Sequence, residues 1–293
     1  MTKYGGKIGL TIVAIIWGSG FVASSLALES YSAYQILAMR FTLAFLVLLV
    51  INLKRLKELS RKTIQKGSLL GVFLFFAFAF QTVGLQYTTP SKNAFLTAVN
   101  VVIVPFLGFL LLKKKLPIKS IVGSFVTLIG ISFLSLAGSF GGFNVGDMLT
   151  LICALFFALQ IFVTDLFIDQ EETWALMLLQ MGSAAALSWA TLFITGDELP
   201  TLKAAGIMPV LYLGLISTLL AYFIQTVSQK YTTSSEAAII LSTEAFFGML
   251  SSVIILGEEI SFNMLIGAVL IFVGILIVEL EFRVPVKGRR EYD

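Results

Sequence analysis

Residues 81–94 read QTVGLQYTTPSKNA and residues 225–238 read QTVSQKYTTSSEAA. At an offset of 144 they agree at Gln81/Gln225, Thr82/Thr226, Val83/Val227, Tyr87/Tyr231, Thr88/Thr232, Thr89/Thr233, Ser91/Ser235 and Ala94/Ala238. The same offset pairs Gly123 with Gly267 and Gly130 with Gly274. Glycines coincide easily in an apolar chain, but a block of shared polar positions does not. An offset of 140 lays Trp17 over Phe157 and Ala14 over Ala154, more weakly. The chain therefore reads as two copies of one unit, residues 1–143 and 144–293.

What each copy contains follows from composition. Of 293 residues, 58% are apolar and 13% charged, against about 45–50% and about 25% in soluble domains. Such a surplus belongs in a bilayer, where one span takes about 20 apolar residues. Apolar runs bounded by charge or turn residues predict ten spans: 8–28, 33–53, 67–87, 91–112, 119–138, 147–168, 173–195, 205–228, 234–256 and 262–281. A closed β-barrel needs alternating strands, whereas Val101 to Leu112 is apolar on every face. The first span, preceded by Lys3 and Lys7, could pass for a signal peptide, but its length and its match to the sixth span argue that it is retained.

Five spans per copy is odd, so the second copy must cross the membrane upside down. The expected fold is an all-α integral membrane protein of ten transmembrane helices in two inverted five-helix repeats. The charges agree. With the N-terminus cytoplasmic, all 20 Lys and Arg except Lys92, Lys203 and Arg40 fall on the inner side. Lys113-Lys114-Lys115, inside, lies over Gly257-Glu258-Glu259, outside. Both termini are thus expected in the cytoplasm, with Lys92 and Glu258 on the outer side and a Cys at position 92, but not at 58, open to an impermeant maleimide in intact cells. Inverted repeats are the mark of alternating-access carriers, whose solute site lies near the midplane.

Several chemistries are excluded. The chain has no His, which removes imidazole acid/base catalysis and histidine-bound zinc. Lone Cys153 can form neither an internal disulfide nor a cysteine metal cluster, and no Walker nucleotide motif is present. No cofactor, metal or catalytic residue is expected. The basic run 54–66 reads as a topology determinant beside anionic lipid, so no nucleic-acid partner is expected either.

Polar residues at membrane depth are the candidate site. Asn93, Thr97 and Asn100 share one face of the fourth span, and their repeat mates are Ala237, Leu241 and Glu244. Phe157, Gln160 and Thr164 in the sixth match Trp17, Gly20 and Ser24 in the first. Thr218, Tyr222, Gln225 and Gln229 line the eighth, with Gln81 the mate of Gln225. Interhelical hydrogen bonds would explain any one amide; the set points to a shared aqueous cavity lined by Trp17, Gln81, Asn93, Asn100, Gln160, Tyr222, Gln225 and Glu244. Glu244, about twelve residues from either end of its span, is costly unless paired or wetted, and is the candidate for coupling to protons. A neutral Glu244 bonded to a neighbouring backbone group or to Asn100 is the structural alternative. Arg40 is read as a structural charge, Asp165 and Glu236 as interfacial, and the paired glycines as close helix contacts.

These residues resemble a known family. Trp17-Gly18, Arg40, Tyr87-Thr88-Thr89 with Ala94-Phe95-Leu96, Glu244, Leu256-Gly257-Glu258 and Gly267 with Gly274 look, in order and spacing, like the EamA-type branch of the drug/metabolite transporter superfamily. The resemblance implies ten helices around a central cavity and export of amino acids, other small metabolites or drugs. Two departures stand out. Ala245 occupies a place often held by Pro, which bears on the kink of the ninth span. Lys113-Lys114-Lys115 replaces a frequent Gly-Glu, which bears on topology.

The expected protein is a cytoplasmic-membrane exporter of a small organic solute, working by rocking the two repeats. Its partners are the solute, the lipid bilayer and protons, with a homo-oligomer left open. Aromatics, amides and a carboxyl suit an amino acid, an aromatic metabolite or an organic cation; sugar phosphates would want more than Arg40. Two rivals remain: a non-transporting sensor or assembly partner, and an integral-membrane enzyme. The second lacks a His for rhomboid-type chemistry, and Asn144-Val145-Gly146-Asp147 lacks the first Gly of the aspartyl protease G-x-G-D element.

Overall fold

The computed structural model describes residues 3–113, 118–136, 143–232, 237 and 240–279. The chain is all α-helical over these residues: α1 Lys3–Leu28, α2 Ala33–Asn52, α3 Arg61–Leu85, α4 Pro90–Thr97, α5 Asn100–Leu112, α6 Ile118–Leu136, α7 Val145–Phe167, α8 Thr173–Thr195, α9 Ala204–Leu211, a π-helical segment Tyr212–Leu220, α10 Ala221–Gln229, α11 Glu244–Leu256 and α12 Phe262–Glu279. Seven helices or continuous helix pairs are long and apolar enough to cross a membrane, and Ile121–Phe133, Ile240–Leu256 and Phe262–Ile277 are shorter apolar helices. Seven full spans, rather than the expected ten, are thus established. The expected span ends at 138, 234 and 280–281, residues 233–236 of the repeated block, and the basic tail lie outside the described residues.

Helices start where the side chains can accept from free first-turn N–H groups. Ser32 accepts from Gln35 N while the Gln35 amide accepts from Ser32 N; Asn144 and Asp147 do the same for α7. Thr89 caps α4 ahead of Pro90. The motif considered for an aspartyl protease is therefore a helix cap.

Two helix ends match at the 144-residue offset. Gly257 after α11 has φ 66°, and Lys113, its mate, has φ 54°. The two cap N–H groups donate to the mated carbonyls Ser252 O and Gly108 O. The Lys standing where the resemblance leads one to expect Gly thus adopts the backbone that favours Gly, so this departure has a backbone consequence as well as a topological one.

Packing interleaves the two halves. α1 packs on α10 and α11, while α7 packs on α3, α4 and α5; α8 lies against α2 and α3. α6 and α12 pair separately. Their crossing is closed by glycine: a Cβ on Gly130 would lie 2.8 Å from Ile271 N, and one on Gly274 would lie 2.7 Å from Gly123 O.

Connections gather at two ends. At one, Ser32 Oγ donates to Asp197 (2.5 Å), Gln35 Nε2 to Glu198 O (2.8 Å) and Ser91 Oγ to Glu258 (2.7 Å). Lys92 Nζ meets Asp147 Oδ2 at 2.7 Å, both side chains essentially buried. Lys92 is therefore not at the surface as expected: paired and nearly sealed, it offers no accessible position for labelling. At the other end Lys66 pairs with Glu171 at 2.7 Å, and Thr63 donates to the same carboxylate. The hydrogen bonds from Lys66 and Thr63 hold Glu171 below the usual carboxylate range.

Two outcomes are expected. In a Cys153→Ser background, an impermeant maleimide applied to intact cells labels Lys203→Cys but not Lys57→Cys, both positions being exposed. Lys113→Gly relieves the left-handed strain and raises thermal stability in detergent by about 1 kcal/mol.

Candidate functional site

Three irregular stretches of helix meet at the centre. Between α4 and α5, Ala98 and Val99 form a turn whose bonds tighten to the third residue, with Val99 N to Leu96 O at 3.3 Å and Val102 N to Val99 O at 2.9 Å. Thr243, the mate of Val99, breaks the ninth segment in the same way, its N–H donating to Ile240 O at 3.2 Å. Asn100 and Glu244 then open α5 and α11. The break ahead of Glu244 exists although Ala245 is not Pro. The third stretch is the π-helical segment, which frees carbonyls from the ordinary ladder; Trp17 Nε1 donates to Ser217 O at 2.9 Å.

Beside these stretches lies a cavity of about 30 Å³. That is room for about two waters, so a solute of amino-acid size needs the walls to move apart. Trp17, Gln81, Asn100, Gln160, Tyr222 and Glu244 line it, together with Arg40, Phe78 and Phe157. Two expected lining residues sit elsewhere. Asn93 lies behind the wall, its Nδ2 donating to Thr150 Oγ1 (2.9 Å) and Gln81 O (3.3 Å). Gln225 is buried and off the cavity, one turn beyond Tyr222.

One wall is an aromatic box. Trp17 and Tyr222 have ring centroids 5.0 Å apart, and Phe78 lies 5.1 Å from Phe157 and 6.2 Å from Tyr222. The Arg40 guanidinium stacks over Phe78 with Cζ 4.0 Å from the ring centroid, and its Nε donates to Thr218 Oγ1 at 2.9 Å. Arg40 is 1% exposed, and its Nη2 has no hydrogen-bond partner. Arg40, expected as a structural charge, thus stands on the cavity wall.

The polar groups differ in how fully they are used. Gln160 Nε2 donates to Gln180 Oε1 (2.9 Å) and Thr164 Oγ1 (3.1 Å), leaving its own Oε1 free. Gln81 donates to Thr97 (3.2 Å). Glu244 is 6% exposed, and among the described residues no hydrogen bond ties it to Asn100 or ion pair ties it to Arg40. No cluster of metal-ligating side chains occurs among the described residues.

Apolar helices packed around a buried cavity of polar and aromatic side chains are the architecture of a multi-pass membrane transporter. The chain belongs to the EamA-like transporter family, within the drug/metabolite transporter superfamily: the family profile matches residues 5–136 and 144–280. An uncharacterized transporter of Archaeoglobus fulgidus is 34% identical over 275 residues, covering 93% of this chain and 85% of its own. A Salmonella typhimurium protein named "Probable amino-acid metabolite efflux pump" is 26% identical, covering 97% of each chain. A protein of known crystal structure superposes with a TM-score of 0.69 over 94% of this chain and 96% of its own; at 17% identity that likeness speaks for the fold alone. The named relatives are transporters and efflux pumps rather than enzymes.

Gln160→Leu strands the Gln180 carbonyl and is expected to cost about 1–3 kcal/mol of stability. The double variant with Gln180→Leu should recover most of it, as read by thermal unfolding in detergent.

Proposed function

We propose that this protein exports a small zwitterionic solute, an amino acid or close relative, across the cytoplasmic membrane by alternating access. In this reading ten spans form two inverted five-helix repeats, 1–143 and 144–293, with both termini cytoplasmic. Mated features support the repeats: the breaks at Val99 and Thr243, the caps at Lys113 and Gly257, and the glycine crossing of α6 and α12.

The observation that carries the substrate class is one guanidinium and one carboxyl on the walls of a single cavity, not paired with each other. Arg40 Nη2 is free to bind a carboxylate, Glu244 an ammonium, and the Trp17–Tyr222–Phe78 box an apolar or aromatic side chain. The amides of Gln81, Asn100 and Gln160 complete the polar contacts. The name of the Salmonella relative agrees with this class. Interleaved packing also revises the motion. The sequence halves cannot rock as rigid bodies without parting α1 from α10 and α11, and α7 from α3 to α5, so the rocking units are bundles drawn from both copies.

Glu244 serves as the coupling group in this reading. A carboxyl that holds its proton in one orientation and, in the other, releases it to water as a substrate ammonium pairs with the carboxylate links the two movements. In proteoliposomes, wild-type amino-acid flux is expected to respond to an imposed pH gradient. Glu244→Gln should abolish that response while leaving exchange, and Arg40→Gln should lower flux at least tenfold. Flux of amino acids indistinguishable from empty liposomes would favour the sensor reading; flux indifferent to the gradient would leave Glu244 a binding group.

A further inference from the structure

Tyr222, Gln225 and Gln229 stand at i, i+3 and i+7 on one face of α10. None is more than 3% exposed, yet the Tyr222 hydroxyl and both amide atoms of Gln225 and Gln229 have no hydrogen-bond partner. The hydroxyl of Ser228, fully buried, is unpartnered too. Buried polar groups without partners are costly when dry and are normally met by water or ligand. The row begins at the cavity, where Tyr222 forms part of the wall. It runs roughly 10 Å along the helix toward Lys230, which is exposed and borders the 168–172 connection.

The mated face of α3 is different. There the residues are Phe78, Gln81 and Leu85; Gln81 donates to Thr97, and Leu85 is apolar and buried. That end is also closed, by Gly84 packed on Gly146 and by the Lys92–Asp147 pair. Unpartnered side chains therefore form a continuous row along α10 and not along its mated face on α3, although Asn93 Oδ1 and Asp147 Oδ1 are single unpartnered atoms at the closed end.

We propose that the Tyr222–Gln225–Gln229 face lines a hydrated half-passage joining the central cavity to the membrane surface that carries Lys57, Lys66 and Glu171. The inference rests on the carrier reading and extends it to a route. Uncharged amides and hydroxyls suit such a route. They offer donors and acceptors to water and to the ammonium and carboxylate of a passing zwitterion, with no fixed charge to trap either. Gln225, which is off the cavity wall, then has its function in the passage rather than in the binding site.

The test is accessibility. In a Cys153→Ser background, Gln225→Cys, Gln229→Cys and the near-isosteric Ser228→Cys are exposed, in sealed vesicles of both orientations, to a charged membrane-impermeant maleimide. Lys57→Cys marks the face. Gln229→Cys or Ser228→Cys is expected to label at least tenfold faster from the face that labels Lys57→Cys than from the other, with Gln225→Cys slower from that same face. Labelling after unfolding verifies that each thiol is present. If no position in the row reacts in folded protein, or the row reacts only from the opposite face, the half-passage is wrong. Labelling needs no flux, so a labelled but non-transporting wild type would refute the carrier and keep the passage. Transport with an unlabelled row would do the reverse.

Discussion

Inside a bilayer every backbone N–H and C=O must find its partner within the protein, and this constraint governs the molecule. It makes the chain helical, and it confines departures from regular helix to places where protein or trapped water can satisfy the freed groups. Asn100 and Glu244, which follow the turns at Ala98–Val99 and Thr243, and Leu213 and Ser217 of the π-helical Tyr212–Leu220 segment all line the same cavity. Irregular backbone and buried polar side chains coincide because only there can the chain leave the helix without facing lipid.

The breaks also set the chemistry. Each is followed at once by the polar residue of its repeat, Asn100 in one copy and Glu244 in the other. A shared fold thus delivers an amide to one wall and a carboxyl to the opposite copy's wall, and Arg40 adds a cation from α2. Matched breaks at the 144-residue offset place these two residues, while the difference between amide and carboxyl makes the cavity unevenly polar.

Interleaving gives this scaffold its cohesion. Because the first helix of each half packs into the other half, neither half presents a complete core alone. Side-chain bonds finish the job at the two ends, with Lys92–Asp147 and Ser91–Glu258 at one and Lys66–Glu171 at the other. The buried Lys92–Asp147 pair is the most demanding of these, since losing either partner leaves an uncompensated charge.

Sequence by itself determined the membrane class, the repeated polar block and the polar stripes, because hydrophobic runs, an ungapped offset and helical periodicity are one-dimensional signals. Six of the eight candidate lining residues are on the cavity wall, since i, i+4 and i+7 spacing already puts side chains on a common face. Which face turned inward was decided only in three dimensions. Gln225 points past the wall, Asn93 stands behind it, and Arg40 enters it by stacking on Phe78. Lys92 looked like a loop cation because nothing local says that Asp147, across an interhelical contact, will bury it. The π segment was equally hidden, with Pro209 just ahead of it as the local hint. Periodicity tells which residues travel together; only packing between distant helices tells where they arrive.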